Sequence, residues 1–241
     1  MHDAEAGRVV STRVKICGIS TIDEMWMAVR AGAAALGFVS QMPSGPGVIS
    51  EEKIREIAPH IPPMVTSFLL TCLQSPDEII SQRKRCGLPA LQLCRSLRIG
   101  DYRRLREEMP GIALVQVVHV PELEALDPIL GLAPRVDALL LDSGRPHAAR
   151  PELGGTGRVH DWQISREIGR RCSVPIILAG GLTAQNVEEA IRLVRPFAVD
   201  VCSGVRTKDR LDPSKLRSFM AAVQAADREE RDPEPDGCEQ P

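Results

Sequence analysis

The sequence predicts one closed (β/α)8 (TIM) barrel, an α/β fold of a single domain. Three observations carry this. Short apolar runs alternate with longer amphipathic segments eight times along the chain, and alternating βα units call for a parallel sheet. Apolar residues make up 43% of the chain but aromatics only 3%, so the core is aliphatic and suits strands buried on both faces. The 241 residues fit one such barrel, which runs to roughly 250 residues. An open doubly wound sheet is the rival, but no GxGxxG motif follows the first strand, where a dinucleotide fold requires it.

Each unit has its own signals. The first strand is Val14 to Cys17, with a helix from Thr21 to Ala31 stopped by Gly32. The second strand is Ala35 to Val39. Its helix follows Ser50, an N-cap residue with Glu51 and Glu52 in the first turn. Met64 to Leu70 is the third strand. Ser75-Pro76-Asp77-Glu78 then starts a helix, with a capping residue, proline at the first helical position, and acids. Ala90 to Leu93 and a helix from Asp101 to Glu108 form the fourth unit. Ile112 to Val118 and a helix from Glu122 to Leu130 form the fifth. The sixth strand is Val136 to Leu141, separated from the helix Trp162 to Arg171 by a loop over Ser143 to Gly157. Pro175 to Ala179 with Thr183 to Val194, and Ala198 to Cys202 with Pro213 to Ala225 capped by Asp212, complete the set. Residues 1–11 are an expected N-terminal extension, 12–225 the barrel, and 226–241 a disordered acidic tail without an apolar face.

Composition excludes several function classes. Thirty basic against 32 acidic residues, net −2, leave no global nucleic-acid footprint. The longest apolar runs are strand-length, too short to span a membrane, and the polar start is not a secretory signal. Seven cysteines, an odd number without CxxC spacing, indicate neither a zinc site nor a disulfide framework. They fit a reducing cytoplasm.

Chemistry in a closed barrel belongs at the C-terminal strand ends. Cys17 ends the first strand, before a glycine that permits a sharp turn. A thiol there serves as a base or nucleophile if its pKa is lowered, or is simply a small packed residue. Asp142 ends the sixth strand after Leu139, Leu140 and Leu141. It is a general acid if a dry pocket raises its pKa, or else a cap for the following loop. Gly154-Gly155-Thr156-Gly157 exposes backbone N–H groups to an anion. The seventh strand ends in Gly180-Gly181 and the eighth in Ser203-Gly204, the usual position of a barrel phosphate cradle.

Taken in order, these motifs resemble the phosphoribosylanthranilate isomerase family of tryptophan biosynthesis. The likeness rests on Val14-Lys15-Ile16-Cys17-Gly18-Ile19, Ala35 to Val39, Leu139 to Asp142, and Gly154 to Gly157 with Asp161-Trp162. It continues through Leu178 to Leu182 with Asn186-Val187, and Arg195 to Val201 leading into Ser203-Gly204-Val205. The resemblance implies a cofactor-free Amadori rearrangement of a phosphorylated ribose derivative. Asp142 would be the acid that protonates the ring oxygen, and Cys17 the base that removes the C2 proton. Gly180, Gly181, Ser203 and Gly204 would hold the phosphate. Gly154, Gly155 and Asp200 would join the substrate-binding set, with Arg95 a further candidate that the resemblance does not supply. No metal is implied, and the state is monomer or homodimer.

The sequence departs from the family pattern on strands two to five. Pro43 to Ser50 lacks the family's carboxylate-anchoring arginine. Ser67 to Thr71 replaces the usual Gly-Val-Phe-x-Asn. Cys94-Arg95 stands where the family has His-Gly, and Gln116 where it has lysine. Arg95 and His119 are the replacement cations to look for. Two other readings stay open: an isomerase for a different N-substituted phosphoribosylamine, and a non-catalytic phosphometabolite-binding barrel.

Overall fold

A computed structural model describes residues 11–42, 46–120, 126–144 and 159–229. Eight parallel strands close into a barrel in sequential order, with β1 hydrogen-bonded to both β2 and β8. The strands are β1 (Arg13–Cys17), β2 (Ala35–Val39), β3 (Thr66–Thr71), β4 (Ala90–Leu93), β5 (Ala113–His119), β6 (Ala138–Asp142), β7 (Ile176–Leu178) and β8 (Ala198–Val201). The helices are α1 (Ile22–Arg30), α2 (Glu51–Ile57), α3 (Pro76–Cys86), α4 (Ile99–Glu108), α5 (Asp127–Leu132), α6 (Trp162–Arg171), α7 (Val187–Val194) and α8 (Pro213–Glu229). Among the described residues no helix is long and apolar enough to cross a membrane.

Local chemistry explains most boundaries. Thr21 caps α1 by accepting from the Glu24 N–H at 3.1 Å, and Ser50 caps α2 by accepting from Lys53 N–H at 3.2 Å. Ser75 sits at the N-cap of α3 with Pro76 behind it, but its side chain makes no capping bond. Gly87 ends α3 in the left-handed region, φ 74°.

The differences from the sequence reading have physical causes. β3 starts at Thr66 because Met64, 98% exposed with φ 74°, lies in a turn. The described part of α5 starts at Asp127; residues 121–125 lie outside the described residues. α7 starts at Val187, not Thr183. Residues 183–186 form a turn in which Asn186 Oδ1 accepts from Thr183 N–H at 2.8 Å and Asn186 Nδ2 donates to the Gly181 carbonyl at 3.0 Å. A short hairpin, β9 (Arg206–Thr207) with β10 (Arg210–Leu211), follows β8. Lys208 and Asp209 turn it with positive φ, the conformation two-residue hairpins require. α8 extends past Ala225, so 226–229 belong to the barrel rather than to a tail. Ala226 is fully buried, and the Asp227 carboxylate accepts from Thr12 N–H at 2.9 Å and Thr12 Oγ1 at 2.7 Å.

Two aliphatic clusters result. The larger fills the layer between strands and helices and includes Ile16, Leu36, Phe38, Leu69 and Phe219. The smaller fills the barrel interior and includes Val39, Leu70, Val115, Val117, Leu140 and Ile177. Period-two alternation decides which side chains point inward. On β1 it sends Lys15 and Cys17 to the interior, and on β8 Asp200 with Cys202 beyond it.

Candidate active site

One cleft opens among the C-terminal strand ends. Cys17, Asp142, Gly180, Gly181, Asp200 and Ser203 all line it. Six residues from four strands, separated by up to most of the chain, therefore meet in one place. Gly204 joins Gly181 and Ser203 along an adjoining groove. Gly154 and Gly155 lie outside the described residues.

Asp142 is buried at 6% exposure, and its Oδ1 accepts from Ser143 N–H at 2.8 Å. Burial pushes its carboxyl up to about 6, against the pull of the Ser143 N–H. That value keeps a useful fraction protonated near neutrality, as a general acid requires.

Below the mouth, Lys15 Nζ donates to Asp200 Oδ1 at 2.9 Å, and both side chains are buried. Burial alone would lower the Lys15 pKa, but the charges of Asp200 and Cys17 outweigh it and Lys15 stays protonated. Burial pushes Asp200 up, and the ammonium pulls it back. Lys15 also stands beside Cys17. A Cβ on Gly37 would lie 2.9 Å from Cys17 Sγ and 3.0 Å from Lys15 Nζ. Glycine is therefore needed there on space alone.

The turns after β7 and β8 depend on glycine. Gly180 and Gly181 have φ of 84° and 65°. A Cβ on Gly180 would meet Ser143 N at 2.6 Å and Asp142 Oδ1 at 2.8 Å. One on Gly204 would fall 1.9 Å from the Leu182 carbonyl oxygen. Gly204→Ala should therefore force the two turns apart. We expect KM for a phosphorylated ligand to rise by at least about tenfold, as for loss of a charge-assisted contact, with thermal unfolding also earlier. An unchanged KM in steady-state kinetics would contradict this.

The wall formed by β2 to β4 is mostly apolar: Val39, Met42, Leu70 and Cys94 line it, with Gln92 as the polar member. Gln92 is buried, and its Oε1 has no hydrogen-bond partner among the described residues. Arg95 is half-buried and is not among the described side chains lining the cleft; neither is His119. Gln116, which stands where the family has lysine, lies fully buried against α4. There its Oε1 accepts from Tyr102 OH at 2.7 Å and its Nε2 donates to the Leu93 and Val117 carbonyls. A departure from the family pattern at this position is thus a packing matter.

Four neighbours of the site were missed by the sequence reading: Lys15, Gln92, Cys202 and Arg206. Alternation could have flagged Lys15, two residues before Cys17, and Cys202, two after Asp200. Nothing local flags Arg206. It is buried at 5% exposure and holds the turn after β1 in place. Its Nη1 donates to Glu24 Oε1 at 3.2 Å and to the Asp209 carbonyl at 2.8 Å. Its Nη2 donates to the carbonyls of Cys17 and Gly18. Among the described residues no group of three or more His, Cys, Asp or Glu is gathered that could hold a metal ion.

Known proteins share this fold. The model of the family described as N-(5'phosphoribosyl)anthranilate (PRA) isomerase matches residues 14–222. A Haloferax volcanii N-(5'-phosphoribosyl)anthranilate isomerase is 38% identical over 218 residues, covering 89% of this chain and 94% of its own. The crystal structure of phosphoribosyl anthranilate isomerase from Thermotoga maritima superposes with TM-score 0.76 at 31% identity, covering 89% of this chain and 99% of that one. A solved isomerase in complex with reduced 1-(o-carboxyphenylamino)-1-deoxyribulose 5-phosphate superposes with TM-score 0.74 at 29% identity, with the same coverage.

Proposed function

The chain belongs to the N-(5'-phosphoribosyl)anthranilate isomerase family, and on that premise we propose how its cleft works: Asp142 is the acid and Cys17 the base of an Amadori rearrangement. The substrate is N-(5'-phosphoribosyl)anthranilate and the product 1-(2-carboxyphenylamino)-1-deoxyribulose 5-phosphate. The observation that carries this reading is that Asp142, Cys17, Gly180, Gly181 and Ser203 line one cleft, with Gly204 in the groove that adjoins it.

The chemistry follows from the residues. Asp142, protonated in part because it is buried, gives its proton to the ribose ring oxygen. The C1–O bond breaks as the aglycone nitrogen lone pair forms the C1=N double bond. Cys17, as thiolate, then removes the C2 proton, whose electrons flow to the iminium nitrogen and leave an enolamine. Ketonisation gives the product. The substrate nitrogen is the electron sink, so the protein's part is one proton donor, one acceptor and a rigid anchor. Gly180, Gly181, Ser203 and Gly204 take the phosphate through backbone N–H groups and the serine hydroxyl. Asp200 lines the sugar end of the cleft and Gln92 offers its free Oε1 to the bound ligand. Gly154, Gly155 and Arg95 belong to the same substrate-binding proposal. We place the reaction in the cytoplasm, with the chain a monomer or homodimer.

Incubating the full chain with freshly formed phosphoribosylanthranilate tests the reading. Turnover to the ketose, lost in Cys17→Ala and Asp142→Asn, is the expected result. Binding without turnover, or turnover that survives both substitutions, overturns it. Weak turnover of this substrate with rapid turnover of an analogue lacking the carboxylate would move the assignment to a different aglycone. The apolar β2–β4 wall motivates including that analogue.

A further inference from the structure

Two more thiols line the cleft, Cys94 and Cys202. Burial pushes Cys94 up to about 12, which leaves it an inert packed group. Cys202 stands in a different setting. β1 and β8 pair with Ile16 opposite Val201, so the next residues, Cys17 and Cys202, leave the barrel side by side. Both side chains line the same cleft.

Each sulfur has its own cation. Cys17 has Lys15, the two crowding Gly37 from the same side. Cys202 has Arg206: a Cβ on Gly18 would lie 3.1 Å from Cys202 Sγ, 3.2 Å from Arg206 Nη2 and 3.4 Å from Arg206 Nε. Both terminal nitrogens of Arg206 are engaged, as described above. Its Nε is buried and makes no hydrogen bond among the described residues, and the Cys202 sulfur lies beside it. A buried charged donor without an acceptor is costly, and a thiolate at Cys202 is the acceptor within reach.

Resting on the assignment of Cys17 as base, we propose that Cys17 and Cys202 share one proton: Arg206 holds Cys202 as the resting thiolate, and Cys202 takes the Cys17 proton when Cys17 turns to the substrate. Cys202 thus acts through Cys17 and is a positioning residue. The protons balance. At rest the pair holds one. That proton moves from Cys17 to Cys202, and the bare Cys17 sulfur then takes the substrate C2 proton. The pair now holds two, one more than at rest, and Asp142 holds one fewer, having given it to the ring oxygen. Passage of one proton through solvent from the pair to Asp142 resets both ends.

The electrostatics agree. Cys202 is held below the ordinary thiol value by the Cys17 hydrogen bond and then by Arg206, with burial and Asp200 opposing. Cys17 is held well above it by donating to Cys202 and by burial, with Lys15 opposing and Asp200 adding to the rise. Glu24, on α1, faces the pair only through Arg206, to which it is bonded.

The test uses the full chain, wild type and the variants Cys202→Ser, Cys202→Ala and Cys17→Ala. Ultraviolet thiolate absorbance is titrated against pH, and kcat and KM are measured across the same range. We expect a thiolate near neutral pH in wild type but not in either Cys202 variant. Both Cys202 variants should lose kcat near neutral pH by about tenfold or more with KM held. The rising limb of kcat/KM should move up by about one pH unit. Cys202 variants with an unchanged thiolate titration and pH profile, while Cys17→Ala is inactive, overturn the shared proton and leave Cys17 as base. An active Cys17→Ala overturns the base assignment itself. If Cys202→Ala fails to fold, the near-isosteric Cys202→Ser and the wild-type titration still decide.

Discussion

Asp142→Asn is expected to remove turnover and to stabilise the protein at the same time. General acid catalysis contributes about 10²–10⁴-fold, so kcat should fall by that range. The stability gain comes from burial. The folded carboxyl is raised to about 6 from an ordinary 3.8. Because this carboxyl is raised, the fold favours its protonated form, and that contribution is fully present below the unfolded value. It is lost as pH rises through about 6. At neutral pH, Asp142 is therefore a buried carboxylate that opposes folding, by on the order of 3 kcal/mol. Asparagine keeps the oxygen that accepts from Ser143 N–H and carries no charge. For a chain of this size roughly 1 kcal/mol moves Tm by 2–4 °C, so Tm at neutral pH should rise by several degrees. The gain should shrink as pH is lowered below about 6. Thermal melts of both proteins at two pH values, with parallel kinetics, check it. Equal or lower Tm would mean that burial is not what raises this carboxyl; retained turnover would mean that it is not the acid.

The largest loss of stability is expected from Lys15→Met. Lys15 and Asp200 are a buried pair, 2.9 Å apart, with side chains 3% and 8% exposed. Removing one partner leaves the other charge uncompensated in the interior, at a cost of about 3–5 kcal/mol. The same principle makes the double variant informative. Lys15→Met with Asp200→Leu removes both charges and should recover most of the loss, because the pair itself contributes little net stability once both desolvation costs are counted. The pH response separates this from a packing defect. Without the ammonium, Asp200 is driven further toward its protonated form, so the single variant should regain stability as pH falls. Urea unfolding at neutral and mildly acidic pH measures this. A loss independent of pH and not relieved by Asp200→Leu would point to packing. Lys15→Met should also slow turnover, since Lys15 opposes the rise of the Cys17 pKa.

Much of the barrel is legible in the sequence because its signals are local. β2, β4 and α6 appear with the bounds read from periodicity, and Ser50 and Asp212 cap where a short polar side chain precedes an amphipathic run. The misreadings fall where another interaction competes. Thr183 resembles a helix start, but the Asn186 side chain closes a turn on its N–H and delays the helix. The last four residues of α8 look like tail by composition. They are helical because Ala226 packs on the core and Asp227 meets Thr12, 215 positions away.

The site divides in the same way. The acid, the thiol and the glycine turns are readable because a barrel puts strand ends in one place and a strand's period of two says which side chains face inward. The sequence by itself thus determined the fold, the family likeness and the residues at the mouth. Only the tertiary structure decided which of them touch. Barrel closure sets β8 against β1, puts Lys15 on Asp200 and Cys202 beside Cys17, and lets Arg206 grip a turn 188 residues away. It also buries Asp142 deeply enough to raise its carboxyl to about 6. Alternation fixes a face but not a cross-strand neighbour, and a pKa depends on who the neighbours are and how much water is left among them.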